Sequence, residues 1–532
     1  MRRALAFCLL GALGVQAQVI PRQFALSKAL VDSNASYYGD STSYSGLAGN
    51  SIIDIYATGD SLLFFGSNRG LTLTANRGLT FRSYVAEEVS LPRAGVSALA
   101  VDDSTVAVAG IMDTLIAGEY NAMGTGISYS LDFGHTWTYL PQPQDPVDSD
   151  TFLVATLGDS TVRRLAVTTA IFNTTYDLAY AKGLIWAASW AGGLRMYDLA
   201  TSGWSVILLP RDGDTTLSCS DVPAGYQLNP LDPKDGGNHN HKAFSVIAYD
   251  SLVWVGTVAG INKGIIDEAG CIAWTHYTSR WNQLSGNWVV ALHHQVASGV
   301  ERIWAATWNA EDPQEQRGVS YTEDGGRTWQ TTLLGEKANN ITSFGDDIYV
   351  STENGLFKSK DGRSWALFQG AEDAITGERV WTEEVYGALI DSRDSTLWIG
   401  TPDGLAHTAN QGITWRIDRS FISTTTAGEV RFYAYPNPFY LSVHNVLQGA
   451  GHVRFQYHIT ATEEGRTARV DIYDFAMNPV KSLAARQHGS AGDFSQVWDG
   501  RNEAGFEVAN GVYYCRLALG SSDYWTKVIV IK

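Results

Sequence analysis

The chain has 532 residues, 45% of them hydrophobic and 17% charged, with 53 Gly, 17 Trp and 25 Tyr against 5 Met. It is too long for one small domain and too apolar for extended disorder. Its Gly and aromatic content favours β-structure over coiled coils or helical repeats, and a net charge of −17 argues against a general nucleic-acid surface, which needs basic groups for phosphates.

The N-terminus has the pattern of a targeting segment. Arg2 and Arg3 precede an apolar run from Ala4 to Val15, and Val15-Gln16-Ala17 fits a small-residue cleavage site before Gln18. Residues 1–17 are therefore expected to be a signal peptide, leaving 36 basic against 55 acidic side chains. The run is shorter than the roughly 20 residues that span a bilayer, and no later stretch reaches that length, so no transmembrane segment is expected after cleavage. Cys8 leaves with this segment, and Cys219, Cys271 and Cys515 remain. Cys219 and Cys271 are open to pairing, whereas Cys515 sits in an alternating strand as a small hydrophobe.

Five segments repeat one pattern. Thr74-Ala-Asn76-Arg-Gly78-Leu-Thr80-Phe81 is the first. Ser130-Leu-Asp132-Phe-Gly134-His-Thr136-Trp137 and Thr322-Glu-Asp324-Gly-Gly326-Arg-Thr328-Trp329 follow. Ser359-Lys-Asp361-Gly362-Arg-Ser364-Trp365 is one residue shorter, and Thr408-Ala-Asn410-Gln-Gly412-Ile-Thr414-Trp415 has Asn for Asp. The acid is expected to bond backbone N–H groups of a turn, the Gly to take positive φ, and the aromatic to pack between neighbouring repeats. Upstream lies a second, aromatic strand in most repeats, carrying Phe64, Trp186, Trp254, Trp304, Tyr349 or Trp398, with Val106–Gly110 as a weaker copy. Seven such strands predict seven blades, starting near Ile52, Val96, Tyr176, Phe244, Val289, Asn339 and Tyr386.

These segments resemble the Asp-box of sialidase-type β-propellers. The resemblance implies a propeller over residues 18–423, with Ser130, Asp132, Gly134, Trp137, Thr322, Asp324, Gly326, Trp329, Ser359, Asp361, Trp365, Asn410, Gly412 and Trp415 in structural roles, away from any active site. The strands around Trp190 and Trp254 are similar to short propeller repeats in sensor domains of two-component regulators. A short polar stretch, 424–429, reads as a linker. Beyond it, Val453–Ile459, Ala468–Asp474 and Gly511–Leu519 alternate with period two between Gly, Asn and Asp turns, which predicts a small Ig-like sandwich over 430–532. The fold class expected is thus all-β: a seven-bladed propeller followed by an Ig-like β-sandwich.

The tail opens on Tyr433-Ala-Tyr435-Pro436-Asn437-Pro438-Phe439 and contains Trp498-Asp-Gly500 and Asn510-Gly-Val-Tyr513. It resembles both the Ig-like domain of flagellar hook-capping proteins and the C-terminal sorting domain of type IX secretion cargo. No hook-assembly region precedes it. The resemblance implies a Gram-negative bacterium, export to the medium or outer-membrane surface, the type IX machinery as partner, and a tail open to removal.

Chemistry is harder to place. A sialidase needs an arginine cluster and an early Arg-Ile-Pro, and here Pro21-Arg22 and Pro92-Arg93 run in the reverse order. Xyloglucan-cleaving propellers use two tandem domains, and this chain has room for one. In candidate funnel loops lie Trp190, Trp308, Glu383 and Glu384, with Glu311 and Asp312. The loop holding Asp232, Asp235, His239 and His241 offers oxygen and imidazole ligands for calcium or a transition metal, but no third strong ligand is fixed by spacing, so the favoured reading is a polar loop of turn residues; no cofactor is otherwise expected. His293 and His294 are neighbours in a strand and face opposite ways. The expected function is a non-enzymatic secreted or surface module binding a polysaccharide, peptide or protein in its funnel. The alternative is a glycan-active hydrolase or lyase using funnel carboxylates, and a third reading is an assembly factor for a membrane complex.

Overall fold

In this computed structural model the described residues are 43–58, 62–84, 90–116, 118–146, 152–169, 171, 173–368, 370–373, 378–420 and 431–532. The expected signal peptide at 1–17 and linker at 424–429 lie outside them. Among the described residues, seven antiparallel sheets of four or five strands follow one another along the chain. Their first strands are Ile52–Ala57, Gly95–Asp102, Thr175–Ala181, Ala243–Tyr249, Trp288–Ala297, Ala338–Phe344 and Gly387–Ile390. Each lies beside the first strand of the next sheet, and Ile52–Ala57 lies beside Gly387–Ile390, so the sheets form a closed ring. We number these blades 1 to 7.

By its position before blade 1, segment 18–50 is a candidate for a ring-closing strand. Its described strand, Ser43–Ser45, instead pairs with Arg82–Tyr84 at the outer edge of blade 1. The ring closes by side chains. Asn50 Nδ2 donates to the Ser420 carbonyl at 2.8 Å, and Ser420 N–H donates back to Asn50 Oδ1 at 2.5 Å. One amide side chain thus copies a strand pairing between the two ends of the propeller. Behind it Trp398 and Leu405 of blade 7 pack with Leu47, Ile52, Leu63 and Phe65 of blade 1.

The five repeated turns share one bonding set. In blade 5, Thr328 N–H and Thr328 Oγ1 donate to the two oxygens of Asp324 at 2.9 and 2.7 Å, and Gly326 N–H donates to Thr322 Oγ1 at 2.9 Å. In blade 7 Asn410 takes the same place, and its Nδ2 donates to Thr414 Oγ1 at 2.8 Å. The turn glycines are needed for close approach. A Cβ on Gly78 would stand 2.6 Å from the Trp398 ring, and one on Gly362 would stand 2.6 Å from the Trp304 ring. Each turn therefore sits on an aromatic of the preceding blade, with Trp329 against Trp254 and Tyr277 as a further case. Because each sheet is antiparallel, these turns, between third and fourth strands, lie at the end of the ring opposite to where the inner strands begin.

Insertions depart from the plain ring, among them a hairpin before blade 3, Leu153–Leu157 with Ser160–Arg164, that pairs with Gln227–Leu228. Blade 2 has a long hairpin, Thr105–Ile116 with Glu119–Ser130. Residues 208–242, before blade 4, form a lobe that lends Thr216–Leu217 to that blade and is tied to it by the Cys219–Cys271 disulfide. The pairing left open in the sequence is thus formed, and Cys515 is buried and free.

The tail is a sandwich. A three-stranded sheet, Phe432–Tyr435, Val453–Ile459 and Gly492–Trp498, faces a six-stranded one that includes Thr467–Tyr473, Gly511–Leu519 and Ser522–Ile531. Alternate residues Val453, Phe455, Tyr457, Val470, Cys515, Leu517 and Trp498 fill its core.

Candidate functional site: the axial channel and its mouth

The inner strands enclose a cavity of about 440 Å³ along the ring axis. Near the entry end six of the seven inner strands carry a bulge, which turns one residue toward the axis. In four of these strands the residue just after it is polar, and these four form a belt. Asp54 accepts from Ile55 N–H at 3.1 Å and from Leu99 N–H of blade 2 at 3.3 Å. Asp177 does the same with Leu178 and with Val246 of blade 4, both at 2.8 Å. Ser245 Oγ donates to the Val289 carbonyl of blade 5 at 3.2 Å. Asn340 bonds Asp54 past Gly387, whose missing side chain leaves the path clear. The belt ties neighbouring blades at the one level where a bulge interrupts regular pairing.

Desolvation governs its protonation. Burial pushes the Asp54 carboxyl up to about 7, against its backbone bonds to Leu99 and Ile55. Burial raises Asp177 well above the ordinary range, and the charge of Asp54 adds to this. Deeper in the channel, burial holds His293 neutral with a value of about 4, and its Nε2 meets Ser343 Oγ at 2.8 Å. His294, on the other face, stacks on Tyr249 at 3.7 Å and meets Glu301.

At the entry end an aromatic chain borders the mouth. Tyr176 stacks on Phe244, Phe244 meets Trp190 and Trp288, and Trp288 meets Trp308. Trp308 is buried, its Nε1 donates to the Ala338 carbonyl, and its ring lines the cavity. Trp190 is half-buried, so it offers an edge more than an open platform. Two ammonium groups lie over these rings, Lys242 over Trp190 and Lys337 over Trp308, each at 4.8 Å. Glu384 stands at the same rim beside Asn339, and burial pushes it up to about 7 although Lys337 pulls it down.

The other sequence candidates separate. Glu383 does not reach the funnel: its N–H donates to the Val446 carbonyl and its Oε1 accepts from Gln448 N–H, both in the tail. The pair looked equivalent because both lie in the loop before Gly387–Ile390, and what each meets is set by where the tail rests against that loop. Asp312 closes a turn by accepting from Gln314 N–H. In the 232–241 loop the structure brings Asp232 and His239 together with Glu311, with ligand atoms within 4.8 Å of one another. Asp235 and His241 are not in this group. His241 is buried, accepts from Asn229 N–H at 2.9 Å and meets the Leu209 carbonyl through Nε2. The donor set fits a metal poorly. Lys242 Nζ lies 3.1 Å from His239 Nδ1, the position where a metal-binding imidazole needs an acceptor for its second N–H. A charged Lys242 makes Nδ1 the acceptor and leaves the Nε2 proton to Glu311, 3.1 Å away.

The sequence reading missed Asp54, Asp177, Asn340, Lys242 and Lys337. A positional signal existed for the first three: each is the third residue of its inner strand, and in Ile52–Ala57 the acid interrupts an otherwise apolar run.

The model of the FlgD Ig-like domain family matches residues 444–523. No curated protein matches the chain. Among solved structures, PorZ of Porphyromonas gingivalis, a bacterial surface component of the type-IX secretion system, is 13% identical. The alignment covers 91% of this chain and 75% of PorZ, with a TM-score of 0.27. YCF48 from Cyanidioschyzon merolae is 12% identical over 69% of this chain and 97% of its own, with a TM-score of 0.39. The extracellular domain of BT4673 from B. thetaiotaomicron is 12% identical over 91% and 81%, at 0.25. At such scores none of these likenesses bears on function. No helix among the described residues is long and apolar enough to cross a membrane.

Proposed function

We propose that this protein is an exported, surface-associated binding module that takes a polysaccharide or peptide segment at the mouth of its axial channel. The observation that carries the proposal is the cavity itself: its volume lies within the roughly 300–1,000 Å³ of ordinary ligand sites, and it combines an aromatic wall with a few polar groups. Asn339 lines the cavity, and it is the candidate to orient a ligand together with Glu384 beside it and Lys337 over Trp308. The belt carboxylates are spoken for by backbone N–H groups, which favours binding over catalysis. Export is supported by the Cys219–Cys271 bond, which persists in oxidising compartments. The tail residues quoted above support a type IX route.

The hydrolase reading keeps one specific support, a carboxyl at the mouth raised to about 7, suited to a general acid. One experiment separates the two. The mature chain, residues 18–532, is incubated with plant, algal and bacterial polysaccharides and with a random peptide library, and both retention and released reducing ends are measured. Retention weakened tenfold or more by Trp308→Ala or Lys337→Ala, without release, is the expected result. Release abolished by Glu384→Gln would establish the hydrolase instead. No retention on any member would overturn the ligand class.

A further inference from the structure

The tail meets the propeller around a buried arginine. Arg454 lies on the outward face of the strand Val453–Ile459, and its guanidinium enters the rim of blade 7. There Nη2 donates to both oxygens of Asp403 at 3.3 and 3.1 Å, and Nη1 donates to Glu378 Oε2 at 3.2 Å. Arg419 completes the network from the propeller side, reaching Asp403 Oδ2 at 2.8 Å and Glu378 Oε2 at 2.9 Å. The side chains of Arg454, Asp403 and Arg419 are 2%, 1% and 3% exposed. Beside them the Trp381 ring lies 4.8 Å from His452 of the tail, and the Arg379 guanidinium lies over the same ring at 5.3 Å. Glu383 N–H donates to the Val446 carbonyl at 3.0 Å.

We propose that the C-terminal Ig-like domain is a permanently docked part of the mature protein, fixed on the rim of blade 7, and not a separable export tag. Two physical points carry this. First, buried charges cost desolvation unless each is paired, so this network admits one orientation of the two bodies and penalises every slipped one. Attraction comes from the Trp381–His452 ring contact and from the bonds of Glu383 to Val446 and Gln448 beside it. Second, only ten residues, 421–430, join the last blade to the tail. A short link gives an effective concentration on the order of millimolar, so even a weak interface stays occupied. The three-stranded sheet is thereby covered, and the six-stranded face, with Trp525 and Tyr514, is the one left to meet an export partner.

The inference does not depend on the channel ligand. It is tested on the full mature chain by amide hydrogen exchange at Trp381, Glu383 and Gln448. Slow exchange is expected in the wild type, rising at least tenfold in Arg454→Met while amides of the strand Gly511–Leu519 keep their protection. Arg454→Lys, with a point charge and no fork, should fall between. Unprotected amides at these three positions in the wild type would overturn the proposal, and that measurement stands even where a variant fails to fold. Independently, the intact mass of the protein from the surface of its host should include residues 431–532. A mature chain ending before Arg431 would overturn it as well.

Discussion

Replacing Asp324 tests what the repeated turns contribute. Its carboxylate accepts from Thr328 N–H, Thr328 Oγ1 and Thr322 Oγ1 at 2.9, 2.7 and 2.8 Å. Three solvent-facing bonds at about 0.5–1.5 kcal/mol net each, reduced by exposure, put the cost of Asp324→Ala at about 1–3 kcal/mol. Asp324→Asn should cost much less, because Asn76 and Asn410 fill the same place in blades 1 and 7 with the amide donating to the Thr hydroxyl. The two variants also differ in pH dependence. The Thr328 hydroxyl and N–H hold the Asp324 carboxyl down at about 2. Its folded value is below its unfolded one, so its stabilisation is present above the ordinary carboxylate range and is lost as pH falls from about 4 to about 2. Urea unfolding followed by Trp fluorescence at pH 7 and pH 3 measures both effects. The expected order is wild type, then Asn, then Ala at pH 7, with wild type and Asn converging at pH 3. An Ala variant as stable as the wild type would show that the aromatic seat alone holds the turn, and equal losses for Ala and Asn would refute the bonding account.

Two further outcomes are expected. Joining residues 52 apart, the Cys219–Cys271 bond stabilises by about 4 kcal/mol in the chain-entropy treatment, so the double Ser variant should unfold at clearly lower urea. Identical midpoints would mean that the 208–242 lobe is held by its own network, such as Asn240 with Asn262 and Thr257. The channel belt acts with the opposite sign to the turns. Burial raises Asp54 to about 7 in the folded chain, so its contribution is greatest below about 4 and is lost as pH rises from there to about 7. The thermal midpoint of the wild type should fall across that interval more steeply than that of Asp54→Asn, and parallel curves would remove Asp54 as the cause.

The features legible in the sequence are those set by short-range chemistry. The five turns follow from residues at fixed spacing, because their bonds close within six or seven residues. Inner strands begin within a residue of Ile52, Val96, Tyr176, Phe244, Val289, Asn339 and Tyr386, because strand patterning and glycine breaks are local. Sequence also presented the tail's strands, since alternation marks which side of each faces the core.

What only the tertiary structure decided involves partners far apart along the chain. Glu383 and Glu384 are adjacent in sequence, yet one bonds the tail and the other borders the channel. His239 meets Glu311, 72 residues away, and Asn50 meets Ser420 across 370 residues. Arg454 carries no local mark; its role exists because the sandwich presents it to Asp403, 51 residues earlier. The physical reason is the same in each case. A side chain's protonation and partners depend on which groups share its burial, and that is set by how sheets close into a ring and by where the tail comes to rest.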